Sequence, residues 1–306
     1  MTQSSGLLRI GTRGSPLALA QAGMVRDALV ARGHAADNVA VTVIRTTGDV
    51  VQDRPLADAG GKGLFTREIE EALLRGDIDL AVHSAKDVPT VLPQGLMLAA
   101  CLEREDARDV FVSPRAKSIA DLPRGAKVGT ASPRREAIVK RVRPDIETVL
   151  LRGNVNTRLR KIDEGVADAT VLALAGLKRL GLAHRATRIM SVEEFLPAAG
   201  QGAIAIEVRE NDETTRALLV QIDHADTSVA LACERAFLGV LDGTCRTPIS
   251  GHATIFGPSL QFRGLIAKPD GSEARDIAGT GNRADAIKIG IEAGRELKAR
   301  AGAGFF

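Results

Sequence analysis

The chain has 306 residues, 41 basic and 38 acidic, for a net charge of +3; that is long enough for two or three domains and too evenly charged for a general polyanion binder. Trp and Tyr are absent, which removes the aromatic platforms on which single-stranded nucleic acid stacks, and no apolar run approaches membrane-spanning length, so neither a nucleic-acid nor a membrane partner is expected. The opening residues carry no charged-then-apolar leader pattern, and three cysteines are an odd number that suits a reducing compartment better than a disulfide framework; a cytoplasmic protein is the expectation.

The first half alternates strand and helix. LLRIGTR (7–13) reads as a strand, and SPLALAQAGMVRDALVARG (15–33) as a helix with Ser15 as N-cap and Pro16 at the first helical position. VAVTVIRTTGD (39–49) is a strand, LFTREIEEALLRG (64–76) an amphipathic helix, and DLAVHSAKD (79–87) a strand again. Such alternation predicts a mostly parallel sheet with helices on both faces. The pattern restarts at AKVGTASPRREAIVKRV (126–142), where Gly129, Thr130, Ser132 and Pro133 echo Gly11, Thr12, Ser15 and Pro16. A duplicated architecture and recurring cap chemistry both fit that echo. ETVLLRG (147–153) follows as a strand, NVNTRLRKIDEGV (154–166) as a helix, and DATVLALAGLKRLG (168–181) as a strand running into a helix. GAIAIEVRE (202–210) is a lone strand returning to the first sheet. Beyond residue 222 the style changes to one long helix (227–243), an antiparallel hairpin (250–256 and 259–267) joined by Gly-Pro, and a terminal amphipathic helix (283–300). The expected architecture is α/β: a first lobe formed by 1–104 and 203–221, a second lobe formed by 105–202, and a small α+β domain over 222–306.

In open α/β sheets ligands sit beyond the carboxyl ends of the strands. This chain places Arg13 and Ser15 there, then Thr46, Thr47 and Asp49, then Ser84, Lys86 and Asp87, and in the second unit Thr130, Ser132, Arg134, Arg135, Arg152, Arg158 and Arg179. If the two units face each other, the cleft between them holds many arginines and one prominent carboxylate. Arginine forks match planar carboxylates, and the helix starts after Ser15 and Ser132 add free N–H groups, so the ligand should carry several carboxylates or phosphates. Each arginine alone could be a solvated helix residue; the set at strand ends is harder to explain that way. Asp87 either caps a turn before Pro89 or is held out as a working carboxylate. His83 reads as a satisfied, partly buried histidine, and no His/Cys group has metal-site spacing, so no metal is expected.

GDVVQDRPLADAGGKGLF (48–65) is long and glycine-punctuated, as a mobile lid would be, and GGKG lacks the phosphate-loop pattern. Cys101 and Cys233 sit in apolar segments and read as core. Cys245 lies in DGTCRTP, a loop with Arg246 beside it, the setting in which a thiol becomes a thiolate nucleophile.

RIGTRGSPLALAQA, GGKGLFTREIE, AVHSAKDVP, LRGNVNTRL, AGLKRLGL, PAAGQGAIAIE and GTCRTPI occur in that order from near Leu7 onward. Together they resemble the porphobilinogen deaminase family, also called hydroxymethylbilane synthases. The resemblance implies two periplasmic-binding-protein-like lobes with a cleft between them and a third domain. It implies a dipyrromethane cofactor joined by a thioether to the cysteine that here is Cys245, and a reaction in which four porphobilinogen molecules condense head to tail, each losing ammonia, into hydroxymethylbilane. It makes Asp87 the catalytic carboxylate. Lys86, Ser84, Thr130, Ser132, Arg134, Arg135 and Arg158 become cofactor-binding, and Arg13, Ser15, Arg152 and Arg179 substrate-binding, with Gln201 and Phe65 in active-site segments of less defined role. A monomer is implied. Three positions depart from the family's pattern: Asp58 stands where many members have Lys, Pro133 where Leu is usual, and Thr244 where Gly is frequent. A non-catalytic, two-lobed anion-binding protein and a phosphate-binding enzyme are the competing readings; Asp87 and Cys245 speak against the first, and the missing phosphate-loop lysine against the second.

Overall fold

The computed structural model describes residues 6–50, 63–241, 247–302 and 305. The chain runs β1 (Leu8–Thr12), α1 (Pro16–Ala31), β2 (Val39–Val43), α2 (Thr47–Val50), α3 (Arg67–Arg75), β3 (Leu80–Ser84) and β4 (Leu96–Cys101). It continues with β5 (Asp109–Val112), β6 (Lys127–Thr130), α4 (Pro133–Val142), β7 (Glu147–Leu150), α5 (Val155–Asp163), β8 (Ala169–Ala173), α6 (Leu174–Arg179) and β9 (Arg188–Ile189). Then come β10 (Ile204–Arg209), α7 (Glu213–Leu219), α8 (Ala225–Val240), β11 (Ile249–Phe256), β12 (Ser259–Ala267), β13 (Ala274–Asn282) and α9 (Ala286–Ala301).

Two five-stranded sheets have equivalent orders, β2-β1-β3-β10-β4 and β7-β6-β8-β5-β9. In the first, β1 is parallel to β2 and β3, while β10 is antiparallel to β3 and β4. In the second, β6 is parallel to β7 and β8, while β5 is antiparallel to β8 and β9. The restart read at Gly129–Pro133 is therefore a repeated architecture. Each sheet is half parallel and half antiparallel, not mostly parallel, because the chain crosses from one lobe to the other after β4 and back after β9. β10 returns to the first sheet, as its isolated apolar run suggested.

Local chemistry explains the helix starts nearest the cleft. Ser15 accepts from the Ala18 N–H, with Pro16 at the first helical position of α1. Ser132 accepts from the Arg135 N–H, with Pro133 in the same place on α4. A proline there costs no hydrogen bond, so the Leu-to-Pro departure leaves the helix beginning where the cap sets it. Residues 39–49 do not form one strand: β2 ends at Val43 and the chain turns helical at Thr47.

Separate apolar cores sit under each sheet. Ile10, Leu29, Val82 and Ile206 are buried in the first lobe, Phe111, Val128, Val171 and Phe195 in the second, and Phe237, Phe262, Leu260 and Leu297 between α8, α9 and the three-stranded sheet β11-β12-β13. Phe237 and Phe262 meet at 4.8 Å between centroids, tilted by 58°. Cys101 and Cys233 are buried, and burial lifts their thiols to about 11 and about 12, so both are inert core residues. Glu234 of α8, fully buried, docks this third unit onto the crossover. It accepts from both terminal nitrogens of Arg104 (2.6 and 3.1 Å), from the Gly200 N–H (2.6 Å) and from the Ala253 N–H (2.7 Å). Among the described residues no helix is long and apolar enough to cross a membrane.

Candidate active site

β3 is buried through His83, and then the chain turns. Ala85–Asp87 form a single 3₁₀ turn, which rotates Lys86 and Asp87 away from the sheet at its carboxyl edge. His83 stays behind, 5% exposed, with its Nε2 3.0 Å from Glu207 Oε2 on the neighbouring β10; it is a satisfied core histidine. Ser84 Oγ exchanges hydrogen bonds with the Gln21 amide of α1 (2.9 and 3.1 Å).

The second lobe contributes the opposing charge. Arg134 and Arg135 are only 5% and 6% exposed. Both engage Asp109, which opens β5 and is fully buried: Arg134 Nη2 donates at 2.7 Å, and Arg135 Nε and Nη2 donate at 3.0 and 2.8 Å. Arg134 also donates to the Leu196 carbonyl (2.7 Å) and lies over the Phe195 ring. Burial would raise the Asp109 carboxyl, but Arg134 and Arg135 hold it below the usual carboxylate range. A second carboxylate, fully buried, therefore stands behind the arginine pair. Asp109 was not picked out from the sequence; its signal is an acid opening the apolar run DVFV, where a lone charge must find partners.

Gln201 joins the two lobes. Its amide donates to the Ala107 carbonyl (2.7 Å), while its Oε1 accepts from Lys86 Nζ (3.3 Å) and Arg135 Nη2 (3.5 Å). Lys86 is pulled down to about 8 by burial first and Arg135 second, with Asp87 and Asp109 opposing. Arg158 is pulled down to about 10 by burial and by Arg135, with Asp87 opposing and Arg152 adding to the fall. Lys86, Asp87, Arg135, Arg152 and Arg158 thus share one electrostatic neighbourhood. Arg158 Nε donates to the Gly153 carbonyl (2.8 Å); among the described residues its two terminal nitrogens have no hydrogen-bond partner, and Asp87 accepts no hydrogen bond.

The remaining residues spread around this centre. Arg13 lies 4.1 Å over the Phe65 ring on the first lobe. Ser15 and Ser132 serve as caps, and Thr130 Oγ1 accepts from the Ser132 N–H (3.1 Å). Arg152 is buried at the end of β7. Arg179, the last residue of α6, donates to the Gly202 carbonyl (2.6 Å), and its buried Nε has no partner among the described residues. Cys245, Arg246, Asp58, the Asp49 side chain and most of the glycine-rich 48–65 stretch lie outside the described residues. No group of three or more potential metal ligands occurs among the described residues.

The donor set fits a polycarboxylate such as dipyrromethane. It is rich in forked cations, and Arg158, whose Nε alone is engaged among the described residues, keeps its two terminal nitrogens for an acceptor.

The chain matches the family model described as the dipyrromethane cofactor-binding domain of porphobilinogen deaminase over residues 8–217, and the model of that enzyme's C-terminal domain over 229–299. It is 59% identical to the porphobilinogen deaminase of Nitrobacter hamburgensis, covering 99% of this chain and 98% of that one. It is 60% identical to the porphobilinogen deaminase of Nitrobacter winogradskyi, covering 98% and 95%. Among solved structures, a periplasmic substrate-binding protein of an ABC transporter from Coxiella burnetii is similar at 15% identity and a TM-score of 0.44, over 75% of this chain and 97% of that one. The chain belongs to the porphobilinogen deaminase family.

Proposed function

We propose that Asp87 is the carboxylate that serves each condensation, that Cys245 carries the dipyrromethane, and that the cations facing Asp87 hold the acetate and propionate groups. The overall reaction is the family's: four porphobilinogen molecules condense head to tail, each losing ammonia, and the linear tetrapyrrole hydroxymethylbilane is released. The observation that supports the assignment is at the end of β3, where the 3₁₀ turn Ala85–Asp87 carries an acid that accepts no hydrogen bond among the described residues and acts electrostatically on both Lys86 and Arg158.

Loss of ammonia breaks a C–N bond and leaves a cation conjugated to the pyrrole nitrogen. A fixed carboxylate beside that ring accepts the pyrrole N–H and stabilises the cation. When bound, the dipyrromethane supplies the nucleophilic pyrrole carbon to which the new C–C bond forms. The proton displaced from that carbon needs an acceptor; Asp87 takes it and holds it for the aminomethyl nitrogen of the next porphobilinogen, which then leaves as ammonia. Lys86, Arg135 and Arg158 orient the flanking carboxylates, while Arg13, over Phe65, and Arg179, on the Gly202 carbonyl, meet incoming substrate.

The limits we propose are a first lobe of 1–104 and 203–221, a second of 105–202 and a third domain of 222–306 that carries the loop with Cys245; the separate apolar cores support this division, with Ile222 packing into the first-lobe core. A monomer is sufficient, since one chain supplies every group assigned here. The unpaired thiols of Cys101 and Cys233 accord with a reducing, cytoplasmic setting.

The test is the single-turnover rate of Asp87→Asn loaded by refolding with preformed tetrapyrrole. That variant keeps size and loses charge. It should bind substrate and condense roughly 10²–10⁴-fold more slowly, while Asp87→Glu should retain more activity. A near-normal rate in loaded, folded Asp87→Asn leaves the residue a turn cap.

A further inference from the structure

Arg235 lies on α8, the helix that leads toward Cys245, and belongs to none of the motifs read above. Its guanidinium donates to the carbonyl oxygens of Val88 (3.4 Å), Pro89 (2.7 Å) and Thr90 (3.0 Å). These are the carbonyls of the chain that directly follows Asp87. One helical turn further along, α8 meets the same segment again: a Cβ at Gly239 would stand 3.6 Å from Thr90 Cγ2.

The other side of the turn is held by the crossover. The Ala85 N–H donates to the Ala203 carbonyl (3.0 Å). Gly200, at φ 73°, comes so close that a Cβ there would fall 2.9 Å from the Lys86 nitrogen, which a side chain could not tolerate. That crossover is itself tied to α8 through Glu234, whose carboxylate accepts from the Gly200 N–H and Arg104. Two adjacent residues of one helix thus hold both flanks of the Asp87 turn, Glu234 through the crossover and Arg235 directly. Pro89 has no N–H to offer a neighbour, so the grip on this stretch falls on its carbonyls. A planar guanidinium can reach several at once, and a single ammonium on a flexible stem cannot hold them in the same fixed geometry.

We infer that Arg235 is a positioning residue for the proposed catalytic Asp87, through which the third domain sets where that carboxylate stands in the cleft. Arg235 does not touch substrate; it fixes the backbone on which Asp87 is mounted. The inference rests on the reading of Asp87 given above. Displacement of a reacting group by about 1 Å can cost about 10²-fold in rate, so loss of this hold should appear in turnover and not in substrate binding.

The experiment uses full-length protein loaded with preformed tetrapyrrole, in four forms: Arg235→Gln, Arg235→Lys, Asp87→Asn, and Arg235→Gln combined with Asp87→Asn. Single-turnover condensation, KM and amide hydrogen exchange over residues 85–92 are measured. Arg235→Gln should lower the single-turnover rate by about 10- to 100-fold with KM unchanged and with faster exchange in that segment, and Arg235→Lys should fall between it and wild type. In the Asp87→Asn background the Arg235→Gln change should add little, because both act through one group. If Arg235→Gln does not fold, the partial loss in Arg235→Lys carries the test. A slow Asp87→Asn beside wild-type rates in the folded Arg235 variants overturns this inference alone. So does an equal Arg235→Gln loss with and without the carboxylate, which marks a general structural role. A near-normal Asp87→Asn removes the reading of Asp87, and this inference with it.

Discussion

Lys86 and Asp87 are neighbours of opposite charge, yet their surroundings treat them unequally. Burial and then Arg135 draw the ammonium of Lys86 down to about 8, against the pull of Asp87 and Asp109. Its folded value lies below its unfolded one, so Lys86 is charged in the cofactor-free protein below about pH 8 and neutral above. Capture of preformed tetrapyrrole by the cofactor-free protein should therefore weaken as pH rises through about 8, and Lys86→Arg should remove that limb, since arginine stays charged. A stopped-flow binding profile from pH 6 to 10 checks this; a flat wild-type profile contradicts it. Much of this site is legible in the sequence, because Lys86, Asp87, Arg135 and Arg158 follow strand ends or helix starts. Its structural supports are less so. Asp109, Gln21 and Glu234 become meaningful only when strands far apart in sequence bring them to their partners, and a lone acid in an apolar run does not say which arginine it will meet.

At the scale of elements, the short β5 positions the arginine pair. Asp109 opens this strand, opposite Ala173 at the end of β8, and binds two guanidiniums that extend from the first turn of α4. Removing one member of a buried ion group strands the rest, at about 3–5 kcal/mol, so Asp109→Asn should cost about that much in a denaturant titration at pH 7; an unchanged midpoint contradicts the clamp. The sign with pH is fixed: the folded carboxyl titrates below its unfolded value, so its stabilisation is complete above the unfolded pKa of about 4 and is lost as pH falls through the lower folded value. The helix starts at Ser15 and Ser132 could be read from cap and proline alone. β5 is short, and β13 (ARDIAGTGN) hides behind charges and glycines. The glycines of β13 have a packing reason: a Cβ at Gly281 would stand 2.9 Å from Ile289 Cδ1, so α9 sits where a side chain would be.

The whole molecule is two similar lobes joined by two crossings and braced by a third unit. Leu17 of α1 lies against Gly176 of α6, at 3.6 Å from where a Cβ would be, so helices of the two lobes meet beside the cleft. Gln201 bridges Lys86 and Arg135 across the same boundary. The repeat was visible in the Gly-Thr and Ser-Pro echo. The antiparallel halves of the sheets were not, because strand direction depends on where the chain crosses and not on local pattern. On the proposed assignment this scaffold holds a covalent dipyrromethane on Cys245 and extends it. The most direct measurement is the intact mass of the purified protein and of Cys245→Ser, before and after porphobilinogen is added. Wild type should carry the mass of a two-pyrrole adduct and gain successive single-pyrrole increments with substrate, while Cys245→Ser should be folded and unmodified in both samples. An unmodified wild type, or an adduct that persists in Cys245→Ser, would contradict the account.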